Sequence, residues 1–550
     1  MPAKDLPALF SDIPVENSPS VLPHVTVTGI AIDSRVVKPG DLFVAMQGGS
    51  VDGHTYISKA IENGAVAVVG QKELSNIPVP YVRVENPRRA LTYLAATLYD
   101  WPGRKLTVIG VTGTDGKTTT CNLIYRILVA AGFKAGMIST VNAVIGEEVL
   151  DTGFHVTTPD AHDVQRYLAK MVEAGLTHVV LETTSHGWAQ YRVDACEFDI
   201  GVITNITHEH LDEHGSYENY LAAKARLFSS LERTRPKPQG NPRLAILNRD
   251  DGSFDFLNEF VKVDKVIYGL DHEADVFAED VRYGARGMQF EAKSQELRVS
   301  IMANLVGQYN VSNCLAALSA TVFGLGVDPE IAAQGIAALP GIPGRMESID
   351  MGQDFTSIVD FAHTPNALKV TLETARQMLT VGNTNITEKI HQDSVDSVRS
   401  VVKTPRIIVI FGSAGLRDKE KRRLMAEVAA ELADLSVLTA EDPRTESLDG
   451  ILDEMAAGAR SRGGREGETF WRIPDRGEAI KFALQLARPG DIVLACGKGH
   501  EQSMCFGKVE YPWDDRTAMR AALAEYLDME GPDMPYLPTQ DTDEKEWLKL

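Results

Sequence analysis

Cysteine is scarce in this chain and nowhere paired. The five present, Cys121, Cys196, Cys314, Cys496 and Cys505, are scattered without a C-x-x-C motif. That excludes a disulfide framework and a cysteine zinc site, and fits a reduced setting. A long uninterrupted apolar run is also missing, so no membrane-spanning helix is predicted. The opening Met1-Pro2-Ala3-Lys4-Asp5 does not read as a signal peptide, and a cytoplasmic location is expected. Basic residues fall short of acidic ones, 55 against 76, for a formal net charge of -21. This argues against nucleic-acid and membrane-surface partners but still allows a local basic pocket for an anionic ligand. No internal repeat is apparent.

What is there is enough for several cores. With 550 residues, 44% hydrophobic and 24% charged, the chain should divide into domains. Short apolar runs at Val25 to Ile32, Leu42 to Met46 and Ala65 to Val69 precede a helix-like stretch, Ala90 to Leu98. Trp101-Pro102-Gly103 breaks the chain, and a first boundary is placed at 104. Beyond it, His178 to Leu181 and Ile200 to Ile203 read as buried parallel strands, being short, continuous and β-branched. Leu339-Pro340-Gly341-Ile342-Pro343-Gly344 marks a second boundary at 341. The alternation then restarts, with strands at Ser357 to Asp360, Arg406 to Phe411, Leu435 to Thr439 and Asp491 to Ala495 and a helix at Lys421 to Ala433. The predicted fold is α/β in three domains, 1–104, 105–341 and 342–530, the last doubly wound. Val381 to Val402 reads as an exposed insertion, and 531–550, with many acidic residues and prolines, as a mobile tail.

The most informative stretch is Gly110-Val111-Thr112-Gly113-Thr114-Asp115-Gly116-Lys117-Thr118-Thr119-Thr120. It follows the apolar run Leu106 to Ile109 and leads into the helix-spaced Cys121 to Leu128. Strand, glycine-rich turn and helix N-terminus together form an anion site, because unpaired backbone N–H groups and the helix dipole face a phosphate. Lys117 adds a point charge at the outer phosphates, and Thr118 a hydroxyl for Mg²⁺. The spacing departs from the strict Walker pattern, since Val111 stands five before Gly116. Glu182 follows the strand His178 to Leu181, where a carboxylate could hold Mg²⁺ on a bound nucleotide; alone, it reads better as a capping or solvated glutamate. His208, His210 and His214 crowd the end of the next strand, but no H-E-x-x-H spacing supports a zinc site.

These motifs, with Tyr220 to Phe228, resemble the Mur ligases, most closely those that add the third residue of the peptidoglycan stem peptide. The resemblance extends in order through Ile32-Asp33-Ser34-Arg35, Pro39 to Ala45, Thr157-Thr158-Pro159-Asp160, Gly307 to Asn313, Pro343 to Glu347, Asp360 to Pro365, Gly415 to Lys419 and Gly497 to Glu501. It implies an N-terminal uridine-substrate domain, a central ATPase-like domain and a C-terminal amino-acid domain. It implies ATP contacts from Gly113, Thr114, Asp115, Gly116, Lys117, Thr118, Thr119, Asn310, Asn313, Arg345, Asp360 and His363. The UDP-muramoyl-dipeptide would meet Ile32, Ser34, Gly49, Ser50, Val51, Thr157, Thr158, Thr184, Gln190 and Arg192. Two Mg²⁺ ions are implied, on Thr118, Glu182, His210 and Lys224, the lysine being converted by CO₂ to an anionic carbamate. The catalytic group so implied is Lys117, Glu182, His210 and Lys224, in an expected monomer working on small-molecule substrates. Asp115, Thr183-Thr184, Glu209, Phe361 and Val156 depart from the usual pattern without removing a phosphate or metal ligand.

Amino-acid recognition would fall to Arg417, Glu441, Asp442, Pro443, Arg444, Gly497 and Glu501. Asp442 stands where diaminopimelate-adding members carry a neutral Asn, and a carboxylate there favours the bare ammonium of lysine or ornithine. Arg444, retained, argues for meso-diaminopimelate, so lysine or ornithine leads only slightly. A turn role for Asp442 before Pro443 is the plain alternative. The folate polyglutamylation ligases share the ATP core but lack the Ser34 to Ala45 pattern and the Glu441 to Arg444 segment. An inactive nucleotide-binding scaffold is opposed by the joint presence of Lys117, Glu182, His210 and Lys224.

Overall fold

This computed structural model describes residues 3–11, 13, 22–48, 51–150, 158–207, 215–284, 287–390 and 404–540, the stretch 381–390 as backbone alone. Among them, contacts divide the chain into two compact units. One comprises Met1–Glu279, Glu291–Ile301 and Val311–Ala338, the other Asp280–Phe290, Met302–Asn310 and Leu339 onward.

The first unit carries two main sheets. Near the N-terminus lie four parallel strands in sequence order, β1 (Gly29–Ala31), β2 (Asp41–Val44), β3 (Ala67–Gly70) and β4 (Tyr81–Arg83). Helix α1 (Pro87–Leu98) covers them, opened by Asn86, whose side chain accepts from Arg89 N–H, with Pro87 at the first turn where a missing N–H costs nothing. The central sheet is built from β5 (Thr107–Thr112), β6 (Ala135–Ile138), β7 (Ala143–Ile145), β8 (Glu148–Leu150), β9 (His178–Glu182), β10 (Ile200–Ile203), β11 (Leu244–Asn248) and β12 (Asp264–Tyr268). Their order is β8-β7-β6-β9-β5-β10-β11-β12, parallel except at one edge, where β6–β7 and β7–β8 pair antiparallel. The buried runs expected at His178 and Ile200 are thus the two neighbours of β5. The two sheets have separate apolar cores, one around Leu42, Val69 and Leu94, the other around Val108, Leu181, Trp188 and Phe228. The first unit is therefore compact without being one continuous core. Three further strands, β13 (Phe277–Gly284), β14 (Gly287–Lys293) and β15 (Arg298–Ala303), form a small sheet.

In the second unit the strands are β16 (Glu347–Ile349), β17 (Thr356–Asp360), β18 (Ile407–Phe411), β19 (Leu435–Leu438), β20 (Phe470–Arg472) and β21 (Ile492–Cys496), ordered β16-β17-β21-β18-β19-β20. All pairs but β16–β17 are parallel. The strands predicted at 357, 406, 435 and 491 are all here, within two residues at each end. Two expectations change. The helix after β17 runs Pro365–Ile390, so the backbone of 381–390, read from sequence as the start of an exposed insertion without a clear period, continues the helix; residues 391–402 lie outside the described part. The tail is not loose over its first ten residues. Leu537 is fully buried in the unit's core, and Thr539 Oγ1 donates to Asp475 Oδ2 at 2.6 Å. Two apolar side chains, Met534 and Leu537, carry that packing and outweigh the polar composition that suggested mobility.

Candidate active site

The carboxyl ends of β5, β9 and β10 meet where the strand order departs to either side of β5, the place where open α/β sheets hold ligands. β5 is buried along its whole length and ends at Thr112, and helix α2 (Lys117–Ala130) begins after the turn. Gly116 caps it at φ 80°, with Asn313 Oδ1 so close that a Cβ has no room. Opposing peptides brace the loop. Thr114 N–H donates to Asn205 O at 2.8 Å, Asp115 N–H to Asn205 Oδ1 at 2.9 Å, and Thr204 Oγ1 to Asp115 O at 2.6 Å. Asn205, whose role the sequence did not reveal, therefore fixes the loop from the end of β10. Lys117 Nζ bonds Thr114 O at 2.6 Å, folded back over the loop where an anion would compete for it.

Glu182, the last residue of β9, is 1% exposed. Both its oxygens accept from Thr118 Oγ1 at 3.1 Å, and Thr140 donates from N–H at 2.9 Å and from Oγ1 at 2.8 Å. A buried carboxylate joined to a helix-start hydroxyl is a hard oxygen set that suits Mg²⁺. Lys224, on the helix Tyr217–Arg233, is 2% exposed; its Nζ donates to Gly113 O at 2.5 Å and lies 4.5 Å from the Tyr220 ring centre. As an ammonium it thus holds the phosphate loop. His210, the other residue implied for a second metal, lies outside the described residues, as do Gly49, Ser50 and Thr157.

Next to Glu182 stands a second polar group. Thr158 Oγ1 contacts Glu182 O at 3.3 Å and Thr184 Oγ1 at 3.1 Å. Arg192 Nη1 donates to Thr158 O at 2.7 Å, and its other nitrogens to Gln190 Oε1 at 2.8 and 3.2 Å. Burial lowers the Arg192 pKa, yet Asp160 at 3.3 Å supports its charge. Four expected substrate residues, Thr158, Thr184, Gln190 and Arg192, are thereby one connected cluster. Ser34, buried at 6%, sits apart after β1, its carbonyl accepting from Asn63 Nδ2.

In the second unit Asp360 ends β17, with both oxygens engaged: Oδ2 accepts from Met346 N–H at 2.7 Å, Oδ1 from Ala362 N–H at 2.9 Å and Thr371 Oγ1 at 3.1 Å. It shapes the loops bearing Arg345 and His363. The Arg345 guanidinium lies 4.5 Å over Phe361, whose ring neighbours His363 at 4.4 Å and His500 at 4.9 Å. Burial pushes His363 down to about 3 and His500 to about 4.

The loops after β19 and β21 carry the expected amino-acid residues. Asp442 and Arg444 flank Pro443 in the left-handed region, at φ 43° and 53°. The Asp442 carboxylate is committed inward, taking Lys498 Nζ at 3.1 Å on each oxygen and Cys505 N–H at 2.9 Å on one. Lys498 also pairs with Glu501; burial alone would lower its pKa, but these carboxylates raise it. This corrects the expectation that Asp442 offers a free anion to a substrate ammonium, since sequence spacing could not reveal Lys498 beneath it. Glu441 is buried, its Oε2 without a hydrogen bond and its pKa raised by burial. The Arg417 and Arg444 guanidinium groups make no hydrogen bond or ion pair among the described residues.

Comparison with known proteins agrees along the chain. Residues 26–99 match the Mur ligase family catalytic domain, 111–321 the Mur ligase middle domain and 381–499 the Mur ligase glutamate ligase domain. A UDP-N-acetylmuramyl-tripeptide synthetase of Roseiflexus sp. (strain RS-1) is 42% identical over 517 residues, covering 92% of this chain and 97% of that protein. A UDP-N-acetylmuramoyl-L-alanyl-D-glutamate–2,6-diaminopimelate ligase of Geobacillus thermodenitrificans is 38% identical over 499 residues, 91% and 95% of the two chains. Among solved structures, a ligase of that same description shares 30% identity and a TM-score of 0.60, covering 91% of this chain and 95% of the other. A folylpolyglutamate synthase of Mycobacterium tuberculosis complexed with ADP and AMPPCP shares the fold, at 15% identity and TM-score 0.57, over 80% of this chain and 95% of its own.

Proposed function

The chain belongs to the Mur ligase family and is an ATP-dependent ligase, and from that premise we propose that it joins a diamino acid to UDP-N-acetylmuramoyl-L-alanyl-D-glutamate. The observation that carries this reading is the meeting at Glu182 of a phosphate loop with the Thr158–Thr184–Gln190–Arg192 cluster. An anion-binding loop and an arginine-centred polar cluster a few ångströms apart suit a nucleotide and a carboxylate that must react together.

The D-glutamyl γ-carboxylate attacks the γ-phosphorus of ATP, giving an acyl phosphate and ADP. Lys117 exchanges Thr114 O for the phosphate oxygens, and the amides at the start of α2, beyond the Thr114 and Asp115 N–H groups held by Asn205, take the remaining charge. Thr118 and Glu182 would hold Mg²⁺, which when bound neutralises charge between phosphate and carboxylate. The incoming α-amine then attacks the acyl carbonyl, and phosphate leaves with the electron pair of the broken C–O bond. The amine must first lose a proton, and His210 and His363 are the residues proposed for that step. Lys224 is proposed to act as a carbamate, on the resemblance alone.

For the amino acid, the free Arg417 and Arg444 favour a substrate with two carboxylates, and 2,6-diaminopimelate is proposed first. Lysine or ornithine is the second reading, favoured by the two carboxylates, Asp442 and Glu501, that share the one ammonium of Lys498. Folate polyglutamylation is not favoured, its support being fold alone. Phosphate release is measured with ATP, UDP-muramoyl-dipeptide and each amino acid singly. Release with a diamino acid supports the reading; release only with glutamate and a folate, or none at all, overturns it.

A further inference from the structure

Beneath the two amino-acid loops lies a buried ion pair that the mechanism does not use. Arg476 opens the helix Arg476–Leu486 and Asp515 the helix Asp515–Tyr526, and both side chains are fully buried. Arg476 Nε and Nη2 donate to the two Asp515 oxygens at 2.7 and 2.6 Å. Nη1 also reaches Ala440 O at 3.2 Å, and Nη2 reaches Cys496 O at 2.8 Å. Ala440 directly precedes Glu441, and Cys496, the last residue of β21, directly precedes Gly497. The two strands concerned, β19 and β21, are not neighbours, because β18 runs between them. One planar fork therefore ties two strand ends across a third, and only a guanidinium has donors set apart to do so. Trp513 Nε1, at 2.8 Å from Asp515 Oδ1, fixes the carboxylate in turn. On the far side of the same loops, Lys498 and Asp442 make the second tie. Asp475, the cap of the Arg476 helix, is itself held by Thr539 of the tail.

We infer that Arg476, oriented by Asp515, is a positioning residue for amino-acid recognition, setting the separation of the Glu441–Arg444 and Gly497–Glu501 loops. This rests on the reading of those loops as the amino-acid site. A bidentate carboxylate contact tolerates little displacement, so a change in loop separation acts on the amino acid and leaves the phosphate loop, on another sheet, untouched.

The test is steady-state kinetics of the full chain with each of three substrates varied in turn, in Arg476→Lys and Asp515→Asn. Arg476→Lys keeps the charge but cannot reach both carbonyls, and Asp515→Asn keeps shape and the Trp513 acceptor. The KM for the diamino acid should rise about tenfold or more, with KM for ATP and UDP-muramoyl-dipeptide within about twofold and the ratio of diaminopimelate to ornithine use altered. Unchanged amino-acid KM in a folded variant overturns the inference, as does a common shift of all three constants. Loss of folding in both variants also overturns it, by making the pair a stability element. Arg444→Ala separates this from its premise. If that change leaves amino-acid KM untouched, the site assignment fails; if it raises KM while the Arg476 and Asp515 variants do not, only the positioning role fails.

Discussion

Lys224 shows what one residue's type conceals. In sequence it is a lysine on a helix; in the fold its ammonium is 2% exposed and bonded to the carbonyl of Gly113. Lys224→Ala should abolish ligation, whether through loss of the loop brace or of a carbamate. Added short carboxylic acids discriminate: partial rescue supports the carbamate, and no rescue leaves the brace as its role. At Asp442 the expected outcome has narrowed. Because the carboxylate is already shared between Lys498 and Cys505 N–H, Asp442→Asn keeps both as hydrogen-bond donors and removes one charge. The ratio of kcat/KM for diaminopimelate against ornithine should rise, each factor of ten corresponding to about 1.4 kcal/mol. An unchanged ratio would leave Asp442 as a turn residue. The strand, glycine turn and helix around Lys117 were legible because their pattern is local. Asn205 and Lys498 were not, since each acts on a segment dozens of residues away.

Elements were read more easily than their ends. Buried strands such as β5 and β18 advertise themselves as continuous apolar runs, and each was found where the runs lie. The tail was misread because composition averages over a segment while packing depends on one or two side chains. Leu537→Ala should destabilise the second unit by about 2–5 kcal/mol, the range for an emptied leucine site, read as a lowered thermal midpoint. An unaltered midpoint would return the segment to the mobile class. Arg192 belongs to the short segment after β9 that also supplies Thr184 and Gln190. Arg192→Ala should weaken UDP-muramoyl-dipeptide binding far more than ATP binding, measured by calorimetry with each ligand. Equal losses would show that it supports the loop generally, through Thr158 and Glu182.

Across the whole molecule, three half-buried rings contribute a pH dependence of stability whose sign follows from their environment. Burial lowers His178 to about 4, His363 to about 3 and His500 to about 4. Unfolded histidine takes a proton near 6.5; the folded rings do not until pH is near 4 or below. Between those values the unfolded rings bind more protons, so their contribution to stability falls as pH falls through that window and is constant above it. Glu446 acts lower. Its bond from Arg422 holds it at about 2, so its contribution is complete above the unfolded carboxylate range and is lost only as pH drops toward 2. The thermal midpoint should decline from about pH 6.5 to pH 4, less steeply in His178→Gln. A midpoint constant over that range would mean that the rings are solvated in the folded protein.

The backbone at Asp442 has a further consequence for lineages of this enzyme. At φ 43° an L-residue is strained unless its short polar side chain bonds locally, which leaves glycine, asparagine and aspartate as comfortable occupants. Aspartate and asparagine codons differ by a single base. The charge that faces Lys498 can therefore be switched on or off by one point mutation with the loop geometry intact. Descendants of a common ancestor can pass between aspartate and asparagine here without a misfolded intermediate, and, on the proposed reading of this loop, such a step exchanges one incoming amino acid for another.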